Sequence, residues 1–203
     1  MASREQYHRA LKTITEMISD RHYILPDVYL GLDDRDAFER VLDQAPDDQW
    51  KNKLSTKANH RTLDRELYIV WVPGRQLNTN IKHIYTDLIS KKCRRAIFIY
   101  DESITTNAKS IIASSRQIAI DAFSIDQLQI NITKHTFQPV FELCSSTDLN
   151  KICESYGCTK SQLPKLLYDD PIRRYFGLSK NDLIKTTQVY GTLHDIEYRI
   201  VTD

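Results

Sequence analysis

The sequence predicts two α/β domains, the first a mixed sheet flanked by helices and the second a smaller α/β (α+β) unit. Three observations carry this. Residues 67–72 and 96–100 are continuous apolar runs rich in β-branched and aromatic side chains, the pattern of strands buried on both faces. Apolar residues at helical spacing follow each run, and strand–helix–strand–helix–strand implies a partly parallel sheet. From residue 130 the character changes to short strands and capped helices, which sets a boundary near residue 129 and gives domains 1–129 and 130–203.

Tyr7, Leu11, Ile14 and Ile18 recur every three or four positions, so residues 3–19 read as an amphipathic helix. A shorter helix follows over 35–42, with Phe38, Val41 and Leu42 on one side. Residues 45–63 are polar and aperiodic and read as a long surface loop. Leu67-Tyr68-Ile69-Val70-Trp71-Val72 is the first buried strand, ended by Pro73-Gly74. Ile81, Ile84, Tyr85, Leu88 and Ile89 define a helical face, and Ala96-Ile97-Phe98-Ile99-Tyr100 is the second strand. A helix over 106–114, with Ala108, Ile111 and Ile112 inward, leads to a third strand at 118–123.

In the second domain, Ile130-Asn131-Ile132 reads as a short strand, and Pro139 interrupts the segment after it. Ser145-Ser146-Thr147-Asp148 caps a helix carrying Leu149, Ile152, Cys153 and Tyr156, stopped by Gly157. Asp170 as N-cap and Pro171 in the first turn open a short helix. Gly177 closes it, where a left-handed residue costs least. Two strands at 183–187 and 198–201 meet around Gly191.

Of 203 residues, 41% are hydrophobic and 27% charged, ordinary for a globular chain, with a net charge of +1. The balance is even along the chain: residues 130–203 hold nine Lys/Arg against nine Asp/Glu, leaving nineteen against eighteen before them. A stand-alone nucleic-acid binder carries a clearly basic domain, so any DNA contact here is local and reinforced by a larger assembly. Met1-Ala2-Ser3-Arg4-Glu5 is polar and enters an amphipathic helix directly, so no signal peptide is expected. No apolar run approaches the roughly 18 residues of a membrane helix. The expectation is a soluble intracellular protein.

The cysteines are Cys93, Cys144, Cys153 and Cys158, and the six histidines are scattered. The Cys153–Cys158 spacing is not the two-residue spacing of zinc or redox sites, so free thiols and no metal or cofactor are expected. A nuclease site would need an aspartate and an Asp/Glu-x-Lys pair at adjacent strand ends to hold magnesium. Asp64 and Glu66 precede the first strand, but that strand carries no acid or lysine, and Ser103-Ile104 follows Asp101-Glu102. No nucleophile elbow, P-loop or GxGxxG is present, and five glycines leave little material for one.

Leu163-Pro164 and then Asp170-Pro171-Ile172-Arg173-Arg174-Tyr175-Phe176-Gly177-Leu178 hold no nucleophile, metal cage or phosphate cradle. They read as a rigid surface for another protein to grip. With Ile130-Asn131-Ile132-Thr133-Lys134-His135, Gln162, Asp182, Lys185 and Tyr198-Arg199, they resemble in order and spacing one family. It is the fifth shared subunit of eukaryotic DNA-directed RNA polymerases, which has an archaeal counterpart. The resemblance covers the second domain strongly, the second half of the first moderately, and the first sixty residues weakly. After Lys185 family members usually continue with two isoleucines, Arg-Pro-Ser and an Ala-Gly turn. Here Thr186-Thr187-Gln188-Val189-Tyr190-Gly191 stands instead, one residue shorter, and the chain continues past Arg199 with Ile200-Val201-Thr202-Asp203. Such divergence around an intact core resembles the versions of large DNA viruses, asfarvirus-like in kind.

The resemblance implies a non-catalytic subunit of a multisubunit DNA-directed RNA polymerase acting in transcription. Residues 130–203 would be an assembly domain docking on the largest subunit, and residues 1–129 a jaw near downstream DNA. No cofactor, membrane or small-molecule substrate is implied. A viral version would work in the host cytoplasm, in viral factories and the virion; a cellular one would work in the nucleus. The implied interface residues are Leu163, Pro164, Asp170, Pro171, Arg173, Arg174, Tyr175, Phe176, Gly177, Leu178, Tyr198 and Arg199.

On their own chemistry, Asp170 and Pro171 fix the short helix, worth about 1 kcal/mol for the cap. Of Tyr175 and Phe176, adjacent on one turn, one is expected inward and the other at a partner surface. Arg173 and Arg174 face a partner, solvent or phosphates. Lys91, Lys92, Arg94 and Arg95 form the densest basic cluster, either a solvated loop or a DNA-backbone contact. Two rivals remain: a stand-alone DNA-binding regulator, and a metal-dependent nuclease using Asp64 and Glu66.

Overall fold

A computed structural model describes residues 2–43, 53–190 and 192–202. The chain is mixed α+β and divides into two compact units, Met1–Ile130 and Asn131–Asp203.

In the first unit, helix α1 (Arg4–Asp20) opens on a capping box in which Ser3 and Gln6 satisfy each other's backbone amides. Its periodic face, Tyr7, Leu11, Ile14, Met17 and Ile18, is buried. Strand β1 (Tyr23–Ile24), α2 (Asp27–Leu30) and α3 (Arg35–Asp43) follow. Strands β2 (Thr56–His60), β3 (Glu66–Val72), β4 (Arg95–Tyr100) and β5 (Ala119–Ser124) complete a five-stranded sheet in the order β1-β2-β3-β4-β5. The pairs β1/β2 and β2/β3 are antiparallel, β3/β4 and β4/β5 parallel. Parallel neighbours need crossovers, supplied by α4 (Gly74–Ser90) and α5 (Thr106–Ala113). These helices cover one face, with Leu77, Ile81, Leu88 and Ala108 packed around Ala96 and Phe98. On the other face the α1 residue Tyr7 stacks at 6.1 Å on Trp71, whose Nε1 donates to the buried Tyr29 hydroxyl at 3.2 Å. Arg21, at the end of α1, forms a buried ion pair with Asp121 of β5 at 3.1 Å.

In the second unit, β6 (Val140–Leu143), β7 (Lys165–Leu167), β8 (Leu183–Tyr190) and β9 (Leu193–Thr202) form a sheet in the order β6-β8-β9-β7, with only β7/β9 parallel. Helix α6 (Ser146–Tyr156) is capped by Ser145 and ends at Gly157 with φ +59°. Its Leu149 packs with Leu163, Leu183 and Ile200 as the core of this unit. Helix α7 (Pro171–Phe176) is capped by the Asp170 carboxylate and closed by Gly177 with φ +62°.

Three expectations change. Residues 56–60, expected as loop, form β2, because the edge of β3 offers an antiparallel ladder that a polar segment can join with only Ala58 buried. The part of that expected loop at 45–52 lies outside the described residues, as does the turn at Gly191. Ile130-Asn131-Ile132 is not a strand: the Asn131 side chain accepts from the Thr133 amide and starts a 3-10 turn, Ile132–Lys134. The segments at 140–143 and 165–167, unassigned from sequence, are strands recruited by β8 and β9.

Candidate functional site

The residues carrying the resemblance meet around α7, and most of them hold the second unit together. Tyr175 and Phe176 are both buried, at 2% and 8% exposure, which corrects the expectation that one would face outward. The Tyr175 hydroxyl accepts from Asn131 Nδ2 at 2.9 Å, so the first segment of the sequence signature meets the α7 segment in the core. Phe176 packs edge-to-face on Tyr175 at 5.1 Å and tilts against Phe141 of β6 at 5.8 Å. Around this six-residue helix the Asn131 turn encloses Tyr175 and β6 receives Phe176. Arg173 is 7% exposed, its guanidinium carbon 3.8 Å from the centre of the Tyr168 ring, a cation–π contact that sequence spacing did not disclose. Leu163, Gly177 and Leu178 are buried as well.

The remaining signature residues have local tasks and partly open surfaces. Pro164 accepts the Ile200 amide at 2.9 Å, fastening the start of β7 to β9. Asp182 accepts the Ser179 amide at 2.7 Å, and Lys185 pairs across the sheet with Glu142 at 2.7 Å. That contact raises the Lys185 pKa, its hydrogen bond with Glu142 being the largest cause. Asp170, Pro171 and Arg199 line one open cleft of about 580 Å³ with Phe141, Thr186 and Glu197. Arg199 is held in place by a forked contact to Glu197, 2.8 and 3.1 Å from Nη2 and Nε. Arg174, Tyr198, Arg199 and Asp170 are half-buried and Pro171 and Pro164 exposed, so these signature residues are open to contact by another protein.

The basic cluster lies far along the chain, at the turn from α4 into β4. Lys92 sits in the left-handed region at φ +56°. Lys91 Nζ is 2.6 Å from Asp87 one helical turn earlier. Lys92 and Arg94 are exposed and Arg95 is half-buried at the start of β4. Cys93 between them is core: burial pushes its thiol up to about 11, so it stays protonated at neutral pH. Asp64 is exposed, and Glu66 is bound by Lys57 at 2.6 Å across β2/β3. Among the described residues no group of three or more His, Cys, Asp and Glu side chains is placed to hold a metal ion. No described helix is long and apolar enough to cross a membrane.

Residues 130–201 match the family model "RNA polymerase Rpb5, C-terminal domain". Similarity also extends beyond that domain. The chain is 25% identical to DNA-directed RNA polymerase V subunit 5A of Arabidopsis thaliana over 89% of this chain and 80% of the relative. It is 25% identical to a Dictyostelium discoideum subunit of DNA-directed RNA polymerases I, II and III over 93% of both chains. It is likewise 25% identical to the Caenorhabditis briggsae counterpart over 95% of this chain and 94% of the relative. The matched domain and these homologues support the family of the fifth subunit shared among DNA-directed RNA polymerases.

Proposed function

We propose that this chain is a non-catalytic subunit of a multisubunit DNA-directed RNA polymerase, acting in transcription. The observation that carries the reading is the match of residues 130–201 to the Rpb5 C-terminal domain, set within similarity to polymerase subunits along 89% or more of the chain. Domain 130–203 is the assembly module and docks on the largest subunit. Its docking surface is the rim of the cleft lined by Pro171 and Arg199, together with the half-buried Arg174 of α7; arginines beside a rigid apolar corner are what protein interfaces favour. Tyr175, Phe176 and Arg173 act behind that surface, holding α7 in place. Domain 1–129 is a jaw near downstream DNA, with Lys92 and Arg94 among its phosphate contacts; Lys91 and Arg95 flank them.

Nucleotidyl transfer belongs to the large subunits; this chain positions. Weak phosphate contacts gain effective concentration from the grip of the whole enzyme on DNA. The divergent run Thr186-Thr187-Gln188-Val189-Tyr190 around an intact core supports the version of a large DNA virus. That version acts in cytoplasmic viral factories and the virion, whereas a cellular one acts in the nucleus.

The test is co-expression with the largest subunit of the same polymerase, comparing wild type with Arg174→Glu/Arg199→Glu. Both side chains are partly exposed, so the variant keeps its circular dichroism spectrum while co-purification at moderate salt is lost. Failure of the wild type to associate, together with duplex bound or cut by the isolated chain, would replace the subunit reading with a regulator or nuclease.

A further inference from the structure

The sheet topology of the first unit gathers cations that are far apart in sequence. Because β2 runs antiparallel to β3 while β3, β4 and β5 are parallel, the end of β2 lies at the same edge as the starts of β3, β4 and β5. The start of β1 is there too, with Tyr23 opposite His60. Backbone hydrogen bonds tie the flanking loops together: Arg61 N to His22 O, His60 N to Arg65 O, and Ala119 N to Arg94 O, each 2.9 Å. The His60 ring lies 4.9 Å from Tyr23 and 6.4 Å from His22. His60 Nδ1 accepts the amides of Thr62 and Leu63, both at 3.2 Å, and so shapes the loop carrying Arg61 and Arg65.

We propose that this edge is one continuous phosphate-binding surface for a nucleic-acid duplex, formed by Arg61 and Arg65 with Lys92 and Arg94 and organised by His60. The proposal rests on the polymerase-subunit reading and extends its phosphate contact from the α4–β4 turn across the sheet edge. Arg61, Arg65, Lys92 and Arg94 are all exposed, and among the described residues none of them is in an ion pair. The acids of this edge are largely engaged: Glu66 by Lys57, Asp87 by Lys91, and Asp121 by the buried Arg21. Asp64, exposed within the arginine loop, offsets one charge, and Asp20 ends α1 nearby.

The His60 pKa is lowered, first by burial and then by the nearby charges of His22, Arg65 and Arg95. Strands lie about 4.8 Å apart, so the stretch from the end of β2 to the start of β4 that carries these four cations spans roughly 10 Å. That covers about three base-pair steps at roughly 3.4 Å each, a fitting width for successive phosphates. Arginine forks suit phosphate oxygens. The exposed large apolar side chains here are Leu63 and Ile24, too few for the apolar centre of a protein interface. Contacts to phosphate oxygens carry no base information, so binding is independent of sequence.

The experiment is fluorescence anisotropy of a labelled duplex of about 25 base pairs with the full chain, from about 50 to 200 mM salt. Four neutralised phosphates give a log–log slope near −3.6, so affinity falls about 150-fold over that range. Arg61→Gln/Arg65→Gln halves the slope and leaves about a 12-fold fall. Lys151→Ala/Lys160→Ala, on the second unit, leaves it unchanged. Absence of duplex binding by the wild type at the lowest salt, or an unaltered slope in the double arginine variant, overturns the proposal. Binding of polyglutamate but not of duplex overturns it in favour of an acidic protein surface. Co-purification of Arg61→Gln/Arg65→Gln with the largest subunit separates the two readings. Retained association with weakened duplex binding supports both, and failure of the wild type to associate sinks the subunit reading whatever the duplex does.

Discussion

Tyr175 carries the sharpest prediction, because its place in the sequence signature suggests a dock while its surroundings make it core. Its side chain is 2% exposed and its hydroxyl accepts from the buried Asn131 amide at 2.9 Å. Tyr175→Phe keeps the ring and removes one oxygen, so no cavity forms. The lost hydrogen bond is worth about 1 kcal/mol, and leaving the Asn131 amide without that acceptor adds its desolvation, for a total of about 2 kcal/mol. Tyr175→Ala adds a cavity and costs about 3–5 kcal/mol. Both tryptophans, Trp50 and Trp71, precede residue 130, so tryptophan fluorescence reports the wrong unit. Hydrogen exchange of amides in 131–202 during a urea series reads the right one. A double-mutant cycle with Asn131→Ala isolates the pair, with a coupling of about 1 kcal/mol expected. Below its melting temperature, Tyr175→Phe should co-purify with the largest subunit as wild type does. Unchanged exchange stability, or lost association in a fully folded Tyr175→Phe protein, would refute the assignment of Tyr175 to the core.

Four further outcomes follow from particular contacts. Arg21→Met removes the guanidinium from the buried ion pair with Asp121, at a cost of about 3–5 kcal/mol in thermal or urea unfolding, and Arg21→Met/Asp121→Leu recovers most of it. Gly157→Ala places a Cβ in open space at φ +59°, so only backbone strain remains, about 1 kcal/mol, and Gly157→Asn is milder. The Asp148 pKa is lowered, first by hydrogen bonding to the Ser145 hydroxyl and then to its amide. A depressed carboxylate contributes stability above its unfolded pKa that is lost as pH falls through the folded one, so Asp148→Asn flattens the acid limb of the stability profile of the second unit. His60 is depressed in the same direction for a base: its neutral form is favoured in the fold, so stability it contributes above the ordinary imidazole range declines on acidification, and His60→Asn removes that decline.

Local patterns made most of the elements legible. The spacing of Tyr7, Leu11, Ile14 and Ile18, and the Ser145, Asp170, Gly157 and Gly177 caps, sit within one or two residues of the ends of α1, α6 and α7. Such signals work because caps and amphipathic faces act over a turn or two of chain. Strand β2 escaped notice because Thr56-Lys57-Ala58-Asn59-His60 has no apolar alternation of its own; its ladder with β3 makes it a strand. The strand expected at 130–132 failed for the opposite reason, since the Asn131 side chain captures a nearby amide and diverts the backbone.

By itself the sequence determined the mixed α+β class, the buried strands, the capped helices and an ordered set of residues resembling one polymerase family. Only the tertiary structure decided which of those residues face outward. A side chain on a six-residue helix is buried or exposed according to what folds back over it, here the Asn131 turn over Tyr175 and β6 over Phe176. The same holds for the basic edge: Arg61 and Arg94 stand more than thirty positions apart, and sheet pairing brings their strand ends to one edge. Charge counted along a chain cannot reveal a surface that pairing between distant strands assembles.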